Sequence, residues 1–181
     1  MKSSKAVFCL ACIFMTSCWL RARSGAVREG PRQVQAFTQA FYNWYLPTAI
    51  KEGSTPAWDF VLKQRPSAFT YRLITALRED SAAQAKAAGM IVGLDFDPFL
   101  NTQDPCARYV TGEVTQKGKS FWVPIYAVCS GKRNRSPDVI AEVVRGHGAW
   151  EFANFHYPDT PPGDLLSILT KLRQARAQGA K

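Results

Sequence analysis

The sequence predicts an α+β fold, in which N-terminal helices pack on a curved antiparallel sheet of about four strands and a C-terminal helix closes a cone-like domain. Three observations predict it. Apolar residues recur at helical spacing through the first half of the chain, the period changes to 2 in the second half, and a last amphipathic stripe returns to helical spacing near the C-terminus.

In chain order, Lys2 and Lys5 precede the apolar run Ala6 to Met15. That run is shorter than the roughly 20 residues a membrane-spanning helix needs, so it reads as a cleavable export leader. Met15-Thr16-Ser17-Cys18 resembles the bacterial lipobox, which makes Cys18 the lipidation site and residues 1–17 the leader. The alternative is ordinary cleavage around Ala22 to Ala26, which extends the leader through residues 18–25. With lipid on Cys18, residues 18–32 are a tether and residues 33–177 a single domain. Trp19 follows Cys18 where inner-membrane lipoproteins carry aspartate, a resemblance that favours the periplasmic face of the outer membrane.

Cysteine arithmetic agrees with export. Cys9 and Cys12 leave with the leader and Cys18 takes lipid, so Cys106 and Cys129 remain as a pair. In an oxidising compartment such a pair reads as a disulfide. There is no Cys-x-x-Cys or clustered Cys/His spacing, so no metal and no cofactor is expected. The 23 lysines and arginines lose Lys2 and Lys5 with the leader, which against 14 acidic residues leaves a formal +7. The charge is scattered except at Lys132, Arg133 and Arg135, which read either as an anionic-surface patch or as a solvated loop. Nucleic acid is not an expected partner outside the cytoplasm.

The first helix is read from Pro31, with Val34, Phe37, Phe41, Trp44, Tyr45 and Thr48 on one face and Pro47 at its end. A second includes Trp58 to Lys63, a third runs from about Ser67 to Leu77, and Asp80 to Ala88 reads as a fourth with Gly89 as its stop. A two-residue turn at Lys117-Gly118 pairs Gln116 with Lys119 and, counting outward, Cys106 with Cys129. In that register Cys106, Val110, Val114, Phe121, Val123 and Ile125 share one face, while Tyr109, Trp122 and Tyr126 line the other as a candidate partner surface. A bulged loop at Gly118 would slip the pairing by one. A second hairpin turns at His147-Gly148, pairing Val143 with Phe152, Ala141 with Asn154 and Val139 with His156. Pro124 cannot donate to a ladder, so a bulge or bend is expected there if its strand is central. Asp164 caps a final helix with the stripe Leu165, Ile168, Leu169 and Leu172.

The densest polar run is Gly93 to Asp104. As a calcium loop it fails, because Leu100 stands at the glycine position and Cys106 where a bidentate glutamate belongs. As a phosphatase strand, Asp95 and Asp97 resemble the Asp-x-Asp of haloacid-dehalogenase-like enzymes, without a matching downstream lysine and acidic pair. The remaining reading is structural, with the carboxylates capping turns around Pro98 and Pro105. Asp95, Asp97, Asn154 and His156 are the candidate pocket residues, His147 is a turn residue, and no catalytic triad is supported.

The segments Phe41-Tyr42-Asn43-Trp44-Tyr45-Leu46, Leu94-Asp95-Phe96-Asp97-Pro98-Phe99-Leu100 with Gln103-Asp104, and Trp150-Glu151-Phe152-Ala153-Asn154-Phe155 resemble an uncharacterised bacterial family of periplasmic proteins and lipoproteins. The resemblance implies a domain similar to the nuclear transport factor 2-like cone and implies no catalytic residues. The function expected from all of this is an envelope-tethered, non-catalytic module that binds an envelope protein or a small ligand. The alternatives are a hydrolase using Asp95 and Asp97, and a periplasmic immunity protein against a toxin. Membrane attachment runs through the N-terminal lipid, and dimers are possible.

Overall fold

The structure is a computed structural model that describes residues 18–51, 56–87, 89–158 and 163–179, with side chains from residue 30 onward. The expected leader, residues 1–17, lies outside the described residues. The chain divides into two contact units, Met1–Gly30 and Pro31–Lys181, and the second carries the sheet and its helices.

Helix α1 spans Cys18–Ala49, so it starts well before the Pro31 start expected from the sequence and takes in the segment read as a tether. Arginine, alanine and glutamate between them favour helix, and Pro31 costs it a single donor rather than ending it. The helix stops soon after Pro47, as expected. α2 (Ala57–Gln64) matches expectation, and a 3₁₀ turn at Pro66–Ala68 leads to α3 (Tyr71–Ala85). The helices expected before and after Asp80 are therefore one, because no glycine or proline breaks the run between them. Thr70 caps α3, its hydroxyl accepting the Leu73 N–H at 3.4 Å.

The sheet is antiparallel, with β1 (Arg108–Thr111), β2 (Thr115–Lys117), β3 (Ser120–Cys129), β4 (Lys132–Arg133), β5 (Val139–Gly146) and β6 (Ala149–His156). Its order is β1-β3-β5-β6, with β2 and β4 also paired to β3. The first turn falls at Gly118-Lys119, one residue later than expected, and Lys117 pairs with Ser120. Only Gly118 takes positive φ, at +61°, which suits glycine as first turn residue and spares the lysine. Farther out Thr111 pairs with Ile125, so Gly112, Glu113 and Val114 oppose only Val123 and Pro124. The interruption expected at Pro124 thus appears on its partner strand. Gly112 N–H donates to the Pro124 carbonyl at 2.7 Å, and a Cβ on Gly112 would stand 2.8 Å from the Tyr126 ring.

These shifts correct the expected faces, since each one-residue slip exchanges them. Tyr109 now opposes Ala127 and is 2% exposed, in the core. Cys106 and Cys129 are no longer register partners, yet their Cα atoms lie 5.1 Å apart and the disulfide forms. In the second hairpin Val143 pairs with Phe152 as expected, but a bulge after Glu142 pairs Ala141 with Phe155, Glu142 with Asn154 and Ile140 with His156. Phe155 thereby enters the core, and Asn154 and His156 move to the outer face.

The core lies between α1 and the inner sheet face. Phe41 packs against Phe69, Phe99 and Phe152 with ring centroids 5.9, 5.4 and 4.8 Å away, above Val123, Ile125, Val139, Ala141 and Val143. Burying each large ring is worth roughly 1.5–3 kcal/mol. Helix α4 (Leu165–Gly179) buries Leu165 and Leu169 as expected, with Asp164 accepting the Ser167 N–H at 3.0 Å. It is tied to α3 by a buried ion pair. Asp80, 1% exposed, accepts from Arg176 at 2.6 Å and from the Leu94 N–H at 2.8 Å.

The outer strands of the β1-β3-β5-β6 order, β1 and β6, are capped in part. On β1, Gln39 of α1 donates to the Tyr109 carbonyl at 3.0 Å and accepts the Thr111 N–H at 2.9 Å, while Gln35 donates to Gly112 at 2.9 Å. One primary amide therefore supplies the donor and acceptor that a neighbouring strand would. On β6, Thr70 N–H donates to Phe152, and the Asn154 side chain accepts the Phe155 N–H at 3.0 Å. No helix among the described residues is long and apolar enough to cross a membrane.

Candidate functional site

Trp122, Pro124 and Tyr126 of β3 alternate with the buried Val123, Ile125 and Ala127, so they face outward, while Val128 in the same register is itself buried. Cross-strand partners share a face, which puts Thr115 and Glu142 beside Trp122, Ile140 beside Pro124, and both Arg108 and Arg133 beside Val128. Trp122 is the centre. The His156 imidazole stacks on it at 4.1 Å and 20°, and the Lys117 ammonium lies 3.5 Å from its ring centroid. His156 Nε2 is 3.1 Å from Glu142 Oε2, and Ser120 Oγ donates to Glu142 Oε1 at 2.7 Å. The Arg133 guanidinium lies 3.8 Å from the Tyr126 ring. The ring and cation partners of Trp122 and Tyr126 thus come from the strands alone.

The Ser120 hydroxyl is bonded to a carboxylate rather than to the imidazole, so His156 is not placed to take its proton. Asn154, 8% exposed, donates to Asp164 at 2.9 Å, and its carbonyl accepts the Leu166 N–H at 3.2 Å. Partial burial pushes the Asp164 carboxyl up, but hydrogen bonds from Ser167 and Asn154, with the His156 charge, outweigh it and hold the group below its ordinary value. Glu142, Asn154 and Asp164 line a groove of about 670 Å³ against α4, with Thr70, Arg72 and Lys171.

Asp95 and Asp97 lie elsewhere. They line an open cleft of about 840 Å³ with Ile50, Trp58, Ile91 and Asp104, so the four candidate pocket residues divide between two cavities. Asp97 Oδ1 accepts the Phe99 and Leu100 N–H groups at 2.9 and 3.1 Å, and Oδ2 accepts the Tyr45 hydroxyl. Tyr42 and Tyr157 donate to the Phe99 and Pro98 carbonyls at 2.7 and 2.8 Å. Three tyrosines therefore fasten the Asp-x-Asp-Pro-Phe turn, and Asp97 caps it. Burial raises the Asp97 carboxyl to about 6 against the lowering effect of its hydrogen bonds; burial beside Asp97 pushes the Tyr45 hydroxyl up. Asp95 is exposed, and Gln103 donates to its backbone carbonyl at 2.7 Å.

Of the three residues expected on one outer face, Trp122 and Tyr126 lie on it and Tyr109 is in the core. Lys117, Ser120, Arg133 and Glu142 join that face. Alternation along β3 and β5 was the signal for Ser120 and Glu142, whereas Lys117 joins only once the turn moves by one residue. Among the described residues there is no group of three or more His, Cys, Asp or Glu side chains placed to hold a metal ion.

No protein-family model matches the sequence, and a search of curated proteins finds no match. Two solved structures are similar. A protein of unknown function from Bacteroides thetaiotaomicron aligns with a TM-score of 0.53 at 15% identity, over 75% of this chain and 98% of that one. It shares the fold. A chain of the type VI native effector–immunity complex Tae3–Tai3 from Ralstonia pickettii aligns with a TM-score of 0.48 at 20% identity, over 68% of this chain and 93% of that one. Neither likeness assigns an activity here.

Proposed function

We propose that this chain is a non-catalytic binding module, tethered in the bacterial envelope through Cys18, that holds a protein partner on the outer face of its sheet. The observation that carries the reading is the preassembled Lys117–Trp122–His156–Glu142–Ser120 cluster beside Tyr126 and Arg133. Aromatic rings whose orientation is already set lose little entropy on docking, which is why such residues dominate interface energetics. The Cys106–Cys129 disulfide supports export, since such bonds persist in oxidising compartments, and it staples β3 next to the face.

The test is site-specific photocrosslinking in envelope preparations, with the crosslinker at Thr115 beside Trp122, or at Ile91 in the acidic cleft. The proposal expects a discrete adduct from Thr115 that disappears in Trp122→Ala. Adducts from Ile91 alone would move the partner site to the cleft. A narrower form of the same reading is an immunity protein whose partner is a toxin, favoured by a rigid, disulfide-stapled face. Co-expression with toxin candidates from neighbouring genes tests it: failure to rescue growth would contradict it, and rescue that survives Trp122→Ala would place the toxin's contact away from this face.

A further inference from the structure

The charges on the outer face are not evenly spread, and their distribution specifies what the face accepts. This inference rests on the binding role proposed above. Arg108 and Arg133 flank Val128 from opposite sides, and Lys117 flanks Ser120 at the far end of β3. All three cations are exposed, and none makes an ion pair among the described residues. With neighbouring strands about 4.8 Å apart and a rise of about 3.3 Å per residue, the two arginines stand about 10 Å apart and the lysine roughly 25 Å along the strand. Between them lie the part-exposed Trp122, Pro124 and Tyr126. On the β5–β6 side Glu142 and Glu151 are in outward register, with Arg72 and Lys171 sharing the groove that Glu142 lines.

We infer that the partner is a protein surface presenting carboxylates, spaced to meet Arg108, Arg133 and Lys117, around an apolar centre that packs on Trp122 and Tyr126. Lys117 and Arg133 already rest on the Trp122 and Tyr126 rings, and their exposed N–H groups can still donate to carboxylates. An anionic membrane or a polyanion would meet the same cations, but would also be pressed against Glu142 and Glu151 and would leave the apolar centre without a counterpart. A folded protein surface can place its carboxylates over one half only.

The experiment selects short random displayed peptides on the immobilised full chain, with heparin and phosphatidylglycerol vesicles as competitors. The inference expects selected peptides rich in Asp and Glu interleaved with aromatic or aliphatic residues. Their affinity should fall about ten-fold or more in the Lys117→Glu/Arg133→Glu double variant, fall again at high salt, and hold in Lys63→Glu on α2. Peptides without acidic bias that still depend on Trp122 would overturn the charge inference and leave the face standing. Peptides indifferent to both Trp122→Ala and the double variant would overturn both. Stronger binding of heparin or vesicles than of any peptide, lost in the double variant, would replace the protein partner with a polyanion or lipid, and an absence of selection would also refute the inference.

Discussion

Asp97 contributes stability to this fold at acid pH that is lost as pH rises to neutral. Its carboxyl is buried beneath Tyr45 in the Asp97–Leu100 turn and is raised to about 6 from its ordinary 3.8. The unfolded chain gives up this proton first, so the contribution is fully present below pH 3.8 and lost as pH climbs through about 6. A difference of about 2 units at ~1.4 kcal/mol per unit makes the loss about 3 kcal/mol, complete by about pH 7. Asp97→Asn keeps the Oδ1 acceptor for the Phe99 and Leu100 N–H groups but cannot titrate. Exchanging Oδ2 for an amide beside the Tyr45 hydroxyl adds an offset that does not change with pH. Urea unfolding followed by tryptophan fluorescence, from about pH 4 to about pH 8, gives the difference between variant and wild type, in which the other acids cancel. That difference should move by about 2.4 kcal/mol in favour of the variant across this range, since pH 4 already lies above the unfolded value. A difference flat across the range, or one moving the other way, would refute the buried-cap assignment.

The packing sets three further outcomes. Replacing Cys106 and Cys129 by serine opens a loop of sequence separation 23, which on the chain-entropy estimate costs about 3 kcal/mol and is readable as a lower thermal midpoint. Arg176→Met strands the buried Asp80 carboxylate and should cost about 3–5 kcal/mol, with Asp80→Asn/Arg176→Met recovering most of it; no recovery in the double-mutant cycle would show that the two do not act as a pair. Gln39→Ala frees Tyr109 C=O and Thr111 N–H on β1, costing about 1–3 kcal/mol and exposing a strand edge, so light scattering should show concentration-dependent association absent from wild type.

What the sequence revealed depended on how local the cause was. α2, α4 with its Asp164 cap, and the His147-Gly148 turn are each set by a few adjacent residues, and they stand as read. The helices around Asp80 merged because the expected break had no glycine or proline behind it. The β1–β3 register went astray because the turn residue and the Pro124 interruption act on the same ladder at different points. One slip sent Tyr109 into the core, and the bulge after Glu142 did the opposite for Asn154 and His156. The disulfide survived because a Cα separation of 5.1 Å is reached without direct pairing. The Asp80–Arg176 pair spans 96 residues and the Gln39 edge cap 72, beyond the reach of any local pattern. For the site, alternation along β3 exposed Trp122 and Tyr126, while the cations over them required the true register.

Two tryptophans report separately on the two surfaces that compete for the partner, Trp122 on the sheet and Trp58 in the acidic cleft. The most direct measurement is therefore the indole N–H spectrum of the ¹⁵N-labelled full chain, assigned by Trp122→Phe and Trp58→Phe, during titration with an acidic peptide selected on the chain. The account predicts that the Trp122 signal shifts with saturation while Trp58 stays in place. A Trp58 signal that moves over an unchanged Trp122 would contradict it.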